Sequence, residues 1–142
     1  AVRQGLKHGV IDAIASDHAP HSPLEKDVEF EQAAFGIIGL ETSLPLTLAL
    51  VEEGILSLTE AVQKLSLNPA RILGIDGGSL EPGAAADLTV INPDVSYTLS
   101  AGDFLSKSQN SPFINRTLKG WAELTLVGGR IAWRRRTTHP GR

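Results

Sequence analysis

The stretch Val10 to His21, V-I-D-A-I-A-S-D-H-A-P-H, constrains this chain more than any other. An apolar run of Val10, Ile11, Ala13, Ile14 and Ala15 stops at Ser16, and Asp17, His18 and His21 follow at once. Short β-branched and small residues bounded by turn-formers predict a strand over Val10 to Ser16, buried on both faces as parallel strands of α/β proteins are. Reactive groups in such folds sit at the carboxyl ends of strands, where this carboxylate and these two imidazoles fall. Alternation along a strand puts Asp17 on the face of Ile11, Ala13 and Ala15, and His18 on the other, so the two are not expected to serve one centre. His21, released from strand geometry by Ala19-Pro20, has the reach to swing back over Asp17. The same residues also suit a solvated loop or a local hydrogen-bonded pair. Zinc takes three or four protein ligands, usually from several chain segments, and one carboxylate is not a site.

The chain has 142 residues, the size of one ordinary domain. Its opening, V-R-Q-G-L-K-H-G, reads as the last turns of a helix stopped at Gly9, and it contains no Met. Both features predict a segment of a longer polypeptide. A net charge of −3 with interspersed signs argues against a nucleic-acid-binding surface. The lack of Cys fits a reducing compartment, and no run of 18 apolar residues suggests a membrane span, so the expectation is a cytoplasmic protein without membrane contact.

After the predicted strand comes a long loop, His21 to Phe35, carrying Pro23, the charged run Glu25, Lys26, Asp27, Glu29 and Glu31, and the apolar anchors Phe30 and Phe35. Loops of this length behind a core strand are commonly functional or disordered. In Phe35-Gly36-Ile37-Ile38-Gly39 the glycines permit backbone to approach a ligand, or serve as a hinge before a helix. Glu41 to Glu53 then reads as an apolar helix, capped by Thr42 or Ser43, with Pro45 near its first turn and Gly54 as its stop. Ser57-Leu58-Thr59-Glu60 has the capping-box form, and Ala61, Val62, Leu65 and Leu67 supply one apolar face of a second helix. Asn68-Pro69 begins a short third helix that ends at Gly74. These leucines read as core packing.

Beyond Ile75 the texture becomes that of a small β unit. Turn chemistry at Asp76-Gly77-Gly78 and Glu81-Pro82-Gly83 precedes strands at Ala86 to Ile91 and Val95 to Leu99, with Asn92-Pro93 between them. A polar loop, Ser106 to Phe113, leads to strands at Gly120 to Val127 and Arg130 to Trp133, joined by a Gly128-Gly129 hairpin. The end, Arg134 to Arg142, is a basic tail, read either as an anion-binding arm or as a solvated terminus.

Five segments together carry a family resemblance. They are I-A-S-D-H-A-P-H (Ile14 to His21), A-F-G-I-I-G-L-E-T (Ala34 to Thr42), N-P-A-R-I-L-G (Asn68 to Gly74), G-S-L-E-P-G-A-A-A-D-L-T-V (Gly78 to Val90) and S-K-S-Q-N-S-P-F (Ser106 to Phe113). In this order they resemble the C-terminal part of the dihydroorotases of the amidohydrolase superfamily, over about residues 1 to 134. The L-x-P-G-x-x-A-D-L run is shared by many amidohydrolases, whereas D-H-A-P-H, F-G-I-x-G-L-E-T and S-K-S-x-N-S-P-F are specific to the dihydroorotase branch. Ala34 departs from the family, many of whose members have Pro before Phe-Gly.

The resemblance implies an α/β fold: the C-terminal part of a metal-dependent (β/α)8 barrel with part of a small β-sandwich. Residues 1–74 would supply the last barrel strand and closing helices, and residues 75–142 the C-terminal share of the composite sandwich. The implied chemistry is reversible zinc-dependent hydrolysis of the cyclic amide of L-dihydroorotate to N-carbamoyl-L-aspartate, in de novo pyrimidine biosynthesis. Asp17 matches the strand-end aspartate that contacts the metal and acts as general base. His21 matches the substrate-binding histidine, and Phe35 and Gly36 match a pair that holds substrate through backbone groups. His18 receives no family role and is expected to make an outward structural hydrogen bond. The family's other metal ligands, a His-x-His pair, a bridging carboxylate-type residue and two more histidines, would lie upstream; His8 and His139 match none of them. The implied protein is a homo-oligomeric enzyme in its full-length form, of which this segment alone is inactive. Two other readings remain: a noncatalytic scaffold subunit for aspartate transcarbamoylase, and a related cyclic amidohydrolase acting on hydantoin-like rings or allantoin.

Overall fold

The computed structural model describes residues 1–135. The basic tail from Arg136 onward and His139 lie outside the described residues. The order is α1 (Val2–Lys7), α2 (Pro23–Lys26), α3 (Leu40–Glu52), α4 (Leu58–Leu65), α5 (Leu67–Leu73), β1 (Leu88–Thr98), a 3-10 turn (Ala101–Asp103), β2 (Thr117–Val127) and β3 (Arg130–Arg134).

Val10 to Ser16 does not form a paired strand. No other strand runs beside it among the described residues, so its backbone groups find partners elsewhere. The N–H of Ile14 donates to Lys64 O at 2.9 Å, the Lys64 ammonium donates to Ile11 O, and Asn68 Nδ2 donates to Asp12 O at 2.8 Å. Lys64 sits only 7% exposed on α4, with its ammonium on the Ile11 carbonyl near the start of the segment. Around it, Leu6, Leu56 and Ala61 form a small core packed by Ile11, Ile14, Leu50, Val51 and Ile55. The stretch is thus held against α4 and α5 by apolar packing on its flanks and by two side-chain hooks on its carbonyls.

The predicted helices are present with shifted ends. Ser57 and Glu60 make the expected capping box: Ser57 N–H and Oγ both donate to Glu60 Oε2 at 2.7 Å, and Glu60 N–H donates to Ser57 Oγ at 3.2 Å. These bonds hold the Glu60 carboxyl below its usual value, the Ser57 backbone bond being the strongest cause. Along α4 the buried positions are Ala61 and Lys64, whereas Val62 is 40% exposed, so the buried face is rotated from the one predicted. Helix α3 starts at Leu40, ahead of the predicted caps at Thr42 and Ser43, which places Pro45 in its second turn. Gly74 ends α5 in the left-handed conformation that a helix stop favours.

The β unit is one antiparallel sheet in the order β1-β2-β3. The two strands predicted on either side of Asn92-Pro93 are one strand, β1, whose register against β2 slips between Asn92 and Ser96. Proline lacks the ladder donor, and a local irregularity absorbs it without ending the strand. Strand β2 packs on α3, where Gly120 has a φ of 83° and Leu48 occupies the space a Cβ would need. Lys119 Nζ reaches Glu52 at 2.7 Å across the same contact. No helix among the described residues is long and apolar enough to cross a membrane.

Replacing Lys64 with Met keeps the apolar stem and removes the donor to Ile11 O. In the native polypeptide K64M should cost about 1–3 kcal/mol in urea denaturation, the penalty of a half-buried carbonyl that loses a charged donor. The exposed control K7M should stay within about 0.5 kcal/mol.

Candidate active site

Immediately after the hooked segment, Asp17 adopts a φ of 44°. A non-glycine residue in the left-handed region carries a strain of about 1 kcal/mol, and aspartate is among the few that tolerate it. The Asp17 side chain is exposed and makes no hydrogen bond among the described residues. One residue on, His18 forms a parallel bridge with Ile37, sealed by Ala19 N–H donating to Ile37 O at 2.9 Å. The D-H-A-P-H and F-G-I-I-G segments thereby lie side by side.

His18 turns to the start of α3. Its Nδ1 accepts the N–H groups of Gly39 at 3.1 Å and Leu40 at 3.3 Å. Gly39 has no side chain to cap the helix, and a Cβ there would lie 2.6 Å from Ser16 O, so the imidazole supplies the cap across a close backbone approach. With Nδ1 accepting, the ring proton sits on Nε2, which faces Ser106 Oγ at 3.5 Å. The Ser106 hydroxyl and N–H both donate to Glu41 Oε1, at 2.7 and 2.9 Å. Burial raises the Glu41 pKa, but the Ser106 bonds, its own backbone N–H and the facing His18 more than reverse this and hold the carboxyl below the usual glutamate range.

His21 sits on the other side of the junction. Its Nε2 donates to Phe35 O at 2.8 Å, and Nδ1 lies 3.8 Å from Glu25 Oε1. Glu25 also accepts Ser22 N–H and Oγ at 2.8 Å, and the backbone bond is the chief reason its carboxyl is held below its usual value. The predicted loop from His21 to Phe35 therefore contains the single turn α2 and is closed at both ends. Lys26 Nζ donates to Ala34 O at 2.6 Å and Gly36 O at 3.0 Å.

Asn110, within S-K-S-Q-N-S-P-F, locks this closure. Its Nδ2 donates to Ala19 O at 2.9 Å and Gly36 O at 3.3 Å, its Oδ1 accepts His21 N–H at 3.3 Å, and its carbonyl accepts Ile38 N–H at 3.2 Å. The Ser108 hydroxyl adds a bond to His21 O. Gly36 lies at φ 104°, and a Cβ there would stand 2.5 Å from the Ala19 methyl carbon. The carbonyls of Phe35 and Gly36 face inward to His21, Lys26 and Asn110, while their N–H groups make no hydrogen bond among the described residues. Phe35 itself is 91% exposed.

His21, Phe35 and Gly36 are thus in mutual contact, and Asp17 lies on the same segment just before the His18–Ile37 bridge. Sequence reasoning assigned nothing specific to Ser106, Ser108, Asn110, Glu41 or Lys64. Their signal lay in the S-K-S-Q-N-S-P-F and G-L-E-T motifs, and in a lysine falling on the buried face of α4.

The Amidohydrolase family matches residues 1–132. The chain belongs to the amidohydrolase family. It is similar to the dihydroorotase of Geobacter metallireducens, 56% identical over 95% of this chain and 32% of the relative, and to that of Desulforapulum autotrophicum, 57% identical over the same shares. It spans about a third of the length of these curated relatives. Among solved structures it resembles the L-hydantoinase (dihydropyrimidinase) of Arthrobacter aurescens, with a TM-score of 0.86 and 33% identity over 94% of this chain and 31% of that one. The dihydropyrimidinase of Brevibacillus agri shares the fold, with a TM-score of 0.87 and 24% identity over 94% of this chain and 30% of that one.

Amidohydrolases are generally metal-dependent, and this chain's own donors would meet only part of such a site. Among the described residues no three His, Cys, Asp or Glu side chains converge on one point. His18 uses Nδ1 for a helix cap and His21 uses Nε2 for Phe35 O. Asp17, exposed and unpaired, fits as a single oxygen ligand whose partners come from other segments.

Two outcomes follow from this geometry. N110A removes the lock between the two loops, and trypsin should cut after Lys26 at least about tenfold faster, in line with the loss of two or more hydrogen bonds. Glu41 has a folded pKa below its unfolded one, so the stability it contributes is present above the unfolded value and is lost as pH falls through the folded one. Below about pH 4.3 the wild type should therefore lose stability more steeply than E41Q, as read from denaturation midpoints against pH.

Proposed function

We propose that this chain supplies the catalytic-base strand end and closing helices of a zinc-dependent dihydroorotase, an enzyme that hydrolyses the cyclic amide of L-dihydroorotate to N-carbamoyl-L-aspartate in pyrimidine biosynthesis, and the reverse. Residues 1–74 are its share of a (β/α)8 barrel and residues 75–142 its share of a β-sandwich. The observation that carries the reading is the closure of Phe35-Gly36 onto His21, a few residues past an exposed and unpaired Asp17. Identity of 56–57% with dihydroorotases, against 33% with the L-hydantoinase, favours a dihydroorotate ring over a hydantoin.

The residues divide the work by chemistry. Asp17, whose carboxylate is free of partners among the described residues, is both a metal ligand and the general base that takes a proton from the attacking water and passes it to the departing amide nitrogen. Zinc, where bound, lowers the pKa of water and polarises the ring carbonyl. The unengaged N–H groups of Phe35 and Gly36 suit substrate oxygens, and His21 beside them suits the ring carboxylate. An open apolar groove of about 430 Å³, lined by Leu6, Ile11, Ile14, Leu46 and Leu50 among others, carries no charged residue and suits packing against the rest of the barrel. The other metal ligands and the homo-oligomeric, cytoplasmic state belong to the same proposal. Scaffolding of aspartate transcarbamoylase would leave Asp17 and His21 without a task.

The test is turnover by the purified native polypeptide with dihydroorotate and with hydantoin. D17N should lower kcat about 10²- to 10⁴-fold with zinc still bound, while H21A should raise KM for dihydroorotate. Full activity in D17N, an unchanged KM in H21A, or preference for hydantoin would contradict the assignment.

A further inference from the structure

The hydrogen bonds of His18 are more specific than an outward structural contact needs. Its Nδ1 collects two N–H groups from the start of α3, its Nε2 proton faces Ser106, and Ser106 is fixed by two bonds to Glu41 on that same helix. The ring is thus held in one tautomer and one orientation. On its N-terminal side stands Asp17 at φ 44°; on its C-terminal side, Ala19 is bonded to Ile37. Gly39 leaves no room to adjust, since a Cβ there would meet Ser16 O at 2.6 Å. A strained residue persists where its surroundings over-determine it. Here the restraints fall on Ser16 and His18, the two neighbours of Asp17, and both lead to the first turn of α3.

We propose that His18 is a positioning residue, whose Nδ1 cap on α3 holds Asp17 in its left-handed backbone conformation and so sets where the carboxylate stands. The inference rests on the reading of Asp17 as the general base. His18 touches neither substrate nor reacting atoms in this role; it acts through the backbone of its neighbour. Geometry separates three substitutions. The amide oxygen of Asn falls near the place of Nδ1 and can accept from Gly39 and Leu40, that of Gln falls near Nε2 and cannot, and Ala accepts nothing.

The experiment uses the native full-length polypeptide loaded with zinc, and its H18N, H18Q and H18A variants. Steady-state kinetics with dihydroorotate is paired with amide hydrogen exchange over residues 36–44 in the metal-free proteins. H18Q and H18A should lose about tenfold or more in kcat, the scale of a misplaced reacting group, with KM within about twofold of wild type. H18N should stay within about threefold of wild-type kcat, and exchange at Gly39 and Leu40 should accelerate in the Gln and Ala variants but not in the Asn variant. Equal kinetics in H18N and H18Q, whether both intact or both impaired, would overturn the proposal. So would a loss expressed in KM alone. Should the wild type fail to turn over dihydroorotate, the functional reading falls and exchange decides the positioning claim: faster exchange in H18Q than in H18N upholds it, and equal exchange overturns it. If H18A does not fold, the Asn and Gln pair carries the test.

Discussion

Backbone polar groups must be paired, and residues 11–21 have scarcely any sheet to pair with. Everything around the candidate site follows from how this is met. Lys64 and Asn68 hold the carbonyls of Ile11 and Asp12 from one side, and Asn110 and Ser108 hold Ala19 and His21 from the other. Between these anchors Ile37 pairs His18 and Ala19, and His18 in turn caps α3. Side chains here do the work that neighbouring strands do in a complete sheet. A hydrogen bond of this kind contributes only about 1 kcal/mol net, so the segment depends on several acting together.

The same arrangement separates what is held from what is left free. Carbonyls at Phe35 and Gly36 are satisfied inside the junction, and among the described residues the N–H groups of both find no partner. His18 commits both ring nitrogens to the scaffold, His21 commits only Nε2 to backbone, and among the described residues the Asp17 carboxylate commits nothing. An electrostatically prepared site has this character: scaffold groups spend their hydrogen bonds on each other, and reactive ones keep theirs for a ligand. The sheet takes part at a distance, since β2 packs on α3 through Gly120 and Lys119, and α3 is the helix that His18 caps.

Much of this was legible in the residues. The capping box at Ser57, the helix stop at Gly74 and the hairpin at Gly128-Gly129 are local devices, and local chemistry predicts them. The strand at Val10 to Ser16 was not legible as it stands, because a strand is defined by neighbours that a sequence window does not contain. The start of α3 was misplaced for a related reason. Its cap comes from His18, more than twenty positions away, and no scan for Ser, Thr, Asp or Asn next to the helix would find it. Asn92-Pro93 read as a break because proline usually interrupts a ladder, whereas here the register slip absorbs it. At the site, the motif set pointed to Asp17, His21, Phe35 and Gly36, while the contacts of Asn110, Ser106 and Lys64 emerge only when distant segments meet.

The most direct measurement of the central claim is a crystal structure of the native polypeptide with zinc and dihydroorotate bound. The account predicts an Asp17 oxygen about 2.0–2.2 Å from zinc, substrate oxygens on the N–H groups of Phe35 and Gly36, and His18 still capping α3. A structure with Asp17 turned away from the metal, or with the junction of residues 17–21 and 35–39 rearranged around the ligand, would contradict it.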